Sequence, residues 1–479
     1  MTKQDSTIDP WASLDDDVKF EGTTFVLPAG MTLDEAIEAL EEKSDGFDAQ
    51  TEFKRTFPYR PFDGALAAIA VLYETFGIVD GKPIPSWFGD IPPSMELVEI
   101  GPGETKQVPW GHFKVAQLKD TEIGFHERKD EGTGAPVFFM HVYGPRKYKA
   151  IVEQVFAAID ERLKQSSIYR GKAFFGGTNI SFLDLTGVKP TDVVYSSHVN
   201  QQLQADVWAL LEHSDKMREN NIPLRRAVVL NGQYGTGKTL AGYLTAQIAV
   251  ANGWTFIYCR PGESVEDAMN MAIQYGPSVV FIEDIDSVVE QDGDLTKLAR
   301  TLELFDGLKN KGVEVVTVMT TNRIEVLPKA MLRPGRLDSI IDIGPLDMEG
   351  VTQLVRVAIP QGSLAKKIDW EKVFEAMDGF LPAFVKEAAS RATRYSFIRT
   401  NSFKNMTITT EDIVAAAQSL RAQHDMMEAA EEMGTRPSLD EALRGLVEGE
   451  VRGIINETHL MDGDRPQGLT LSTNGSSPS

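Results

Sequence analysis

The chain has 479 residues, 42% hydrophobic and 25% charged, with a formal net charge of −22. At about 150 residues per domain this is enough for about three packed domains, and the acidic balance excludes a protein whose main task is gripping a nucleic-acid backbone with a broad basic face. The single cysteine, Cys259, excludes internal disulfides and cysteine-rich zinc sites, and its place at the end of an apolar run marks it as a buried structural thiol.

Residues 1–17 are acidic and polar and read as a disordered leader without a signal-peptide pattern. The longest apolar run, Ala65–Tyr73, is too short to span a membrane, so no membrane partner and a cytoplasmic location are expected. Residues 18–185 read as a separate α+β domain. Val18–Leu27 alternates like a strand. Thr32-Leu33-Asp34-Glu35 is a capping box opening a helix to about Glu42. Ala65–Phe76 and Tyr148–Leu163 have helical spacing, and Val108–Leu118 and Val137–Val142 read as strands with a glycine-rich turn at 132–134. Trp11, Trp87 and Trp110 are assigned to core packing rather than to a binding face. Arg146-Lys147-Tyr148-Lys149, the best local basic cluster, reads as a solvated helix start.

Residues 186–345 alternate strands and helices, as a parallel α/β sheet does. Within them Gly232-Gln233-Tyr234-Gly235-Thr236-Gly237-Lys238-Thr239 spells G-x-x-x-x-G-K-T, the P-loop or Walker A pattern. A strand-like run, Ala227–Leu230, precedes it, and a helical pattern from Leu240 to Val250 follows. Glycines let successive N–H groups curl around a phosphate, and the helix N-terminus adds positive potential. Gly232, Gly235, Thr236, Gly237, Lys238, Thr239 and Leu240 are therefore the candidate nucleotide contacts, with Lys238 reaching the terminal phosphates and Thr239 offering its hydroxyl to Mg²⁺. Ser278–Ile282 is a second apolar run, and it ends in Glu283 and Asp284, carboxylates at the sheet edge where ligands bind in open α/β folds. A third run, Glu314–Met319, ends in Thr320-Thr321-Asn322-Arg323, and Leu332-Arg333-Pro334-Gly335-Arg336-Leu337-Asp338 follows. Residues 346–430 read as a helical lid, and 431–479 as one further helix with a disordered tail.

This combination resembles the AAA family of ATPases, within the wider AAA+ superfamily, over residues about 190–425. The matching segments are GTGKT at 235–239, FIEDID at 281–286, TTNR at 320–323 and LRPGRLD at 332–338, with weaker matches at 304–308 and 377–392. The resemblance implies an AAA+ core with a helical lid, ATP and Mg²⁺ as ligands, and a homo-oligomeric ring, usually of six, with nucleotide between neighbours. It implies that Glu283 and Asp284 serve the metal and the attacking water, that Asn322 is the sensor that orients that water, and that Arg333 and Arg336 are arginine fingers acting on the neighbour's nucleotide. It also places Val193, in the segment Asp192-Val193-Val194-Tyr195, at the adenine, although the family's usual glycine is absent there.

The sequence departs from the family in two ways. The usual acidic order is Asp then Glu; here it is Glu283 then Asp284, which moves each carboxylate by about 1.5 Å, a displacement that can cost about 10²-fold in rate. The same inverted pair is familiar in the mitochondrial AAA translocase that handles folded Rieske iron–sulfur protein. The aromatic pore loop of protein-unfolding members is also missing, since Thr255–Arg260 runs straight into Pro261-Gly262 with Tyr258 inside the strand. The acidic loop Val289–Asp294 is left as the pore-lining candidate. His126-Glu127-Arg128-Lys129-Asp130 lacks the second histidine of a zinc-protease motif, and the other six histidines are scattered and read as structural. The leading expectation is an ATP-driven machine that remodels or disassembles a protein client chosen by residues 18–185. A nucleic-acid motor or loader and a slow ATP-gated assembly scaffold are the competing classes.

Overall fold

A computed structural model of the chain describes Thr32, Glu35 and residues 49–287, 314–327, 331, 333, 336–401 and 406–434, apart from 88, 132–133 and 178–179. The leader, the 18–27 strand, the acidic loop at 289–294, the segment 304–308 and the C-terminal tail lie outside the described residues. The capping box at Thr32 is present: the Glu35 N–H donates to Thr32 Oγ1 at 3.3 Å, and the Thr32 N–H donates to Glu35 Oε2 at 2.7 Å.

The first domain runs β1 (Gln50–Phe57), α1 (Pro61–Phe76), β2 (Val79–Gly81), β3 (Ser94–Gly101), β4 (Glu104–Trp110), β5 (His112–Val115), β6 (Glu122–Lys129), β7 (Pro136–Pro145) and α2 (Lys149–Gln165). Five strands form an antiparallel sheet in the order β1-β7-β6-β5-β2, and β3 with β4 makes a separate hairpin. Strand alternation divides the two faces. Ile123 and Phe125 of β6 are buried, whereas Glu122 and His126 belong to the opposite face. Helix α1 opens with Pro61, whose missing N–H costs nothing in a first turn. Its Ala65, Ala68 and Leu72, with Val152, Phe156 and Ile159 of α2, pack on Phe57, Phe125 and Phe138. Each fully buried large side chain contributes roughly 1.5–3 kcal/mol, so this face holds the domain together.

Three expectations change here. The predicted strand at 108–118 is broken at Gly111, whose φ of 121° turns the chain between β4 and β5. Strand β6 was not expected, because charged residues mask its alternation. Trp110 does pack, its ring 5.4 Å from that of Phe62, but Trp87 is 95% exposed and not core. The basic cluster is a 3₁₀ turn, Arg146–Tyr148, leading into α2, with Lys149 paired to Glu153.

The second sheet comprises β8 (Ala173–Phe175), β9 (Arg226–Asn231), β10 (Thr255–Cys259), β11 (Ser278–Ile282), β12 (Val315–Thr321) and β13 (Ser339–Asp342), in the order β13-β9-β12-β11-β10-β8. Every pairing is parallel. All residues of β10, β11 and β12 are buried, as expected for parallel strands covered on both faces. On one face Val228, Leu230, Phe256 and Phe281 meet Ala241 and Ala249 of the helix α3 (Lys238–Ala251). On the other, Val229, Ile257, Val280 and Met319 meet Ala268, Met269 and Ala272 of α4 (Val265–Gln274). This α/β sheet starts at β8, ahead of residue 186. Cys259 is buried on this second face, and burial pushes its thiol up to about 12, in keeping with a structural role.

The antiparallel and parallel sheets lie in one compact unit, Met1–Val357 with Leu381–Ala383. Buried polar groups tie them. The Arg60 guanidinium donates to the Gly177 carbonyl at 2.7 Å, and Lys172 donates to the Ile100 carbonyl. Asp63, 2% exposed, accepts from Ser167 Oγ at 2.7 Å and from the Ile168 N–H at 2.9 Å. Helix α5 (Met348–Ala358) belongs almost wholly to this unit. The second unit comprises residues 358–380 and 384–479, and its described part carries α6 (Trp370–Ala376), most of α7 (Pro382–Thr400) and α8 (Thr410–Gly434). Its core includes Val373, Phe380, Val385, Ala389, Ile413 and Leu420. No described helix is long and apolar enough to cross a membrane.

Candidate nucleotide site

The site is assembled at the C-terminal ends of three adjacent strands, β9, β12 and β11. The loop 232–237 leaves β9 and enters α3 through Gly237, which sits at φ 95° in the left-handed region. A side chain would be strained there, and the helix begins at the next residue. The segment before β9 packs against this turn: Tyr195, buried, donates its hydroxyl to the Gly237 carbonyl at 2.8 Å. Val193 is half-buried and packs against the core. Of this segment it is Tyr195, not Val193, that is shown touching the loop.

Lys238, 8% exposed, turns its ammonium back into the loop. It donates to the Gly232 carbonyl at 2.6 Å, the Gln233 carbonyl at 2.9 Å and Asn322 Oδ1 at 2.7 Å. Asn322, at the end of β12, donates in turn to Asp284 Oδ1 at 3.2 Å. Thr236 is buried and donates to the Gln233 carbonyl at 2.9 Å, while the Gly232 N–H donates to the Thr321 carbonyl at 3.2 Å. Gly235 has φ 86°, and Leu240, on the first turn of α3, is 38% exposed.

The two acids of β11 part company. Glu283 accepts from Thr239 Oγ1 at 2.6 Å through Oε1 and from the Tyr258 hydroxyl at 2.7 Å through Oε2. Asp284 faces Asn322, its own N–H donating to Thr320 Oγ1 at 2.9 Å, and its φ is 47°. The left-handed backbone at Asp284 is what lets consecutive residues serve opposite sides of the site. Burial, then the negative charges of Asp286 and Glu283, push the Asp284 carboxyl up, against the pull of Lys238 and Asn322. Asp286, 5% exposed, accepts from Thr321 Oγ1 at 3.0 Å and pairs with Arg323 at 3.7 Å.

Lys238, Thr239, Glu283, Asp284 and Asn322 thus meet in one place. Arg333 and Arg336 lie on the turn before β13, where the Arg336 N–H donates to the Arg333 carbonyl at 3.1 Å. Arg333 is exposed and its side chain joins none of the contacts above; Arg336 is half-buried. Tyr258 is a site residue that no local sequence pattern marks. It is core, 3% exposed, yet its hydroxyl reaches the first acid. The signal was the strand register: Tyr258 pairs with Phe281, two residues before Glu283.

Residues 228–345 match the sequence model of the AAA family, the ATPase family associated with various cellular activities. This segment is similar to the AAA ATPase module. The chain is 30% identical over 237 residues to the cell division cycle protein 48 homolog of Archaeoglobus fulgidus, covering 44% of this chain and 32% of that protein. It is 28% identical over 255 residues to the proteasome-activating nucleotidase of Saccharolobus solfataricus, covering 48% and 62%. It is 30% identical over 257 residues to the ATP-dependent zinc metalloprotease FtsH of Akkermansia muciniphila, covering 48% and 31%. The chain therefore spans between about a third and three fifths of these relatives.

Proposed function

We propose that the chain hydrolyses Mg-ATP and, as a homo-oligomeric ring in the cytoplasm, uses the energy to remodel or disassemble a protein client. The observation that carries this reading is the convergence of Lys238, Thr239, Glu283, Asp284 and Asn322 on one strand edge beside a P-loop. The Lys238 ammonium is held by two loop carbonyls and an amide oxygen. These are the kind of partners that phosphate oxygens displace with more charge.

The donor chemistry suits magnesium: the Thr239 hydroxyl and the Glu283 carboxylate are hard oxygen ligands already within a hydrogen bond of each other. Bound there, the ion would neutralise charge on the phosphate oxygens. Tyr258 holds the far oxygen of Glu283, so the carboxylate is aimed before any ligand arrives. Asp284 is the better-placed base. Asn322 sits between Asp284 and Lys238, and the raised proton affinity of the Asp284 carboxylate strengthens it as a proton acceptor. In this reading the inverted acid order keeps the usual division of labour, with Glu283 serving the metal and Asp284 the water. Exposed Arg333, with Arg336, would reach the γ-phosphate of a neighbouring subunit, where a planar guanidinium stabilises charge spreading over the transferred group.

Two features favour a protein client. One is the names of the relatives, a proteasome-activating nucleotidase and an ATP-dependent metalloprotease. The other is the first domain, where Ile78, Trp87, Met95 and Leu97 are all exposed. The test is phosphate release from Mg-ATP across a range of protein concentrations, beside Lys238→Ala. Turnover per chain that rises with concentration and is absent in the variant is expected; no release above the variant at any concentration removes the proposal.

A further inference from the structure

The histidines of the first domain are not scattered in space. Gly124, in the middle of β6, pairs with His112 of β5 on one side and with His141 of β7 on the other. Glu122 and His126 lie two residues before and after it, on the same face of the strand. Four side chains of metal-binding type therefore converge over one glycine, on the face of the sheet opposite Ile123 and Phe125. The glycine is needed for space. A Cβ at 124 would lie 2.2 Å from His141 Cε1 and 2.7 Å from His126 Nε2.

His112 Nδ1 is 2.5 Å from Glu122 Oε1, and one ligand atom from each of His112, Glu122 and His141 lies within 4.8 Å of the others. In a tetrahedral zinc site, metal–ligand bonds near 2.0–2.1 Å place ligand atoms about 3.4 Å apart, so side-chain adjustments of about 1 Å close the set. The far oxygen of Glu122 is held by Lys82 at 2.5 Å, the outer hydrogen bond that ligating carboxylates usually carry. His126 stacks on His141 with centroids 4.8 Å apart and planes at 12°, bracing that ring. The His112 side chain is 11% exposed and that of Glu122 24%, so the cluster is sheltered but open to a small ion.

We propose that His112, Glu122 and His141 bind a divalent transition-metal ion of the zinc type on the outer face of the first sheet, in a site separate from the nucleotide. Two imidazoles, which are borderline nitrogen donors, beside a single carboxylate suit such ions rather than calcium or magnesium. Three protein ligands leave a coordination position open, so the ion can accept a further oxygen, nitrogen or sulfur donor. The site does not depend on the ATPase reading.

The test uses the full chain, stripped with chelator and titrated with Co²⁺ in excess Mg²⁺, which occupies the hard-ligand site. One Co²⁺ per chain with visible ligand-field bands that Zn²⁺ abolishes is expected. His141→Ala and the isosteric Glu122→Gln should each weaken binding by at least about tenfold. Lys54→Ala, opposite His141 on β1, and Glu283→Gln should leave it unchanged. Folding of the histidine variant is checked by its thermal shift with ATP, and Glu122→Gln carries the decision if that shift is lost. No Co²⁺ uptake by the wild type, equal affinity in both cluster variants, or loss in Glu283→Gln instead would overturn the proposal.

Discussion

Tyr258→Phe isolates the orientation of the first acid from the fold around it. The change removes one oxygen, which donates to Glu283 Oε2 at 2.7 Å. The ring remains against Phe281 at 5.1 Å, Phe175 at 5.5 Å and Tyr243 at 6.1 Å. A hydrogen bond to a charged acceptor is worth about 1.5–3 kcal/mol. Glu283 is only half-buried and keeps its bond to Thr239, so the lower figure applies, and about 1.5 kcal/mol is roughly a tenfold change. That loss should fall on the aim of the carboxylate and not on stability. Phosphate release measured against magnesium concentration at saturating ATP should show turnover at limiting magnesium lower by about tenfold, with melting temperature unchanged. A variant that matches wild type at every magnesium concentration would refute the reasoning. A drop that tracks a fall in melting temperature would reassign Tyr258 to packing alone.

Asp284→Asn should retain nucleotide and lose turnover by about 10²–10⁴-fold, the usual worth of a positioned base; fluorescent-nucleotide binding beside phosphate release separates the two, and full turnover would sink the assignment. Arg333→Ala and Arg336→Ala should each leave binding intact while turnover falls by about 10³–10⁵-fold; variants as active as wild type would remove the between-subunit role. Asp63 gives a pH signature. Burial pushes its carboxyl from the ordinary 3.8 up to about 6, so the native state holds the proton that the unfolded state releases, and this group's contribution to stability is lost as pH rises from about 4 to about 6. At about 1.4 kcal/mol per pH unit this is about 3 kcal/mol. Denaturant unfolding should therefore show Asp63→Asn gaining about that much on wild type across this window; a constant gap would contradict it.

How far the sequence could be read depended on the range over which each feature is encoded. The P-loop, the apolar runs of β9, β11 and β12, and the box at Thr32–Glu35 are written in adjacent residues, so local spacing reveals them. Strand β6 escaped because its Glu122-Ile123-Gly124-Phe125-His126-Glu127-Arg128-Lys129 reads as polar; only its pairing with both β5 and β7 makes it a strand. The histidine cluster needs the register of three strands at once, since His112, His126 and His141 are neither adjacent nor at a motif spacing. Tyr258 was correctly placed in a strand, but its hydroxyl meets Glu283 across a parallel pairing that no local pattern states. Trp87 was assigned to the core on residue type alone, and the structure leaves it in water.

The short strand β8 sets a practical limit on dissecting the chain. It pairs with β10 through Ala173, Phe174 and Phe175, although it comes more than fifty residues before the P-loop strand. A recombinant fragment trimmed to the matched module, or begun at residue 186, would strip this row and leave the Phe256 N–H and the Tyr258 carbonyl bare along an apolar margin. Such margins recruit one another, so fragments of that kind should precipitate or associate without order.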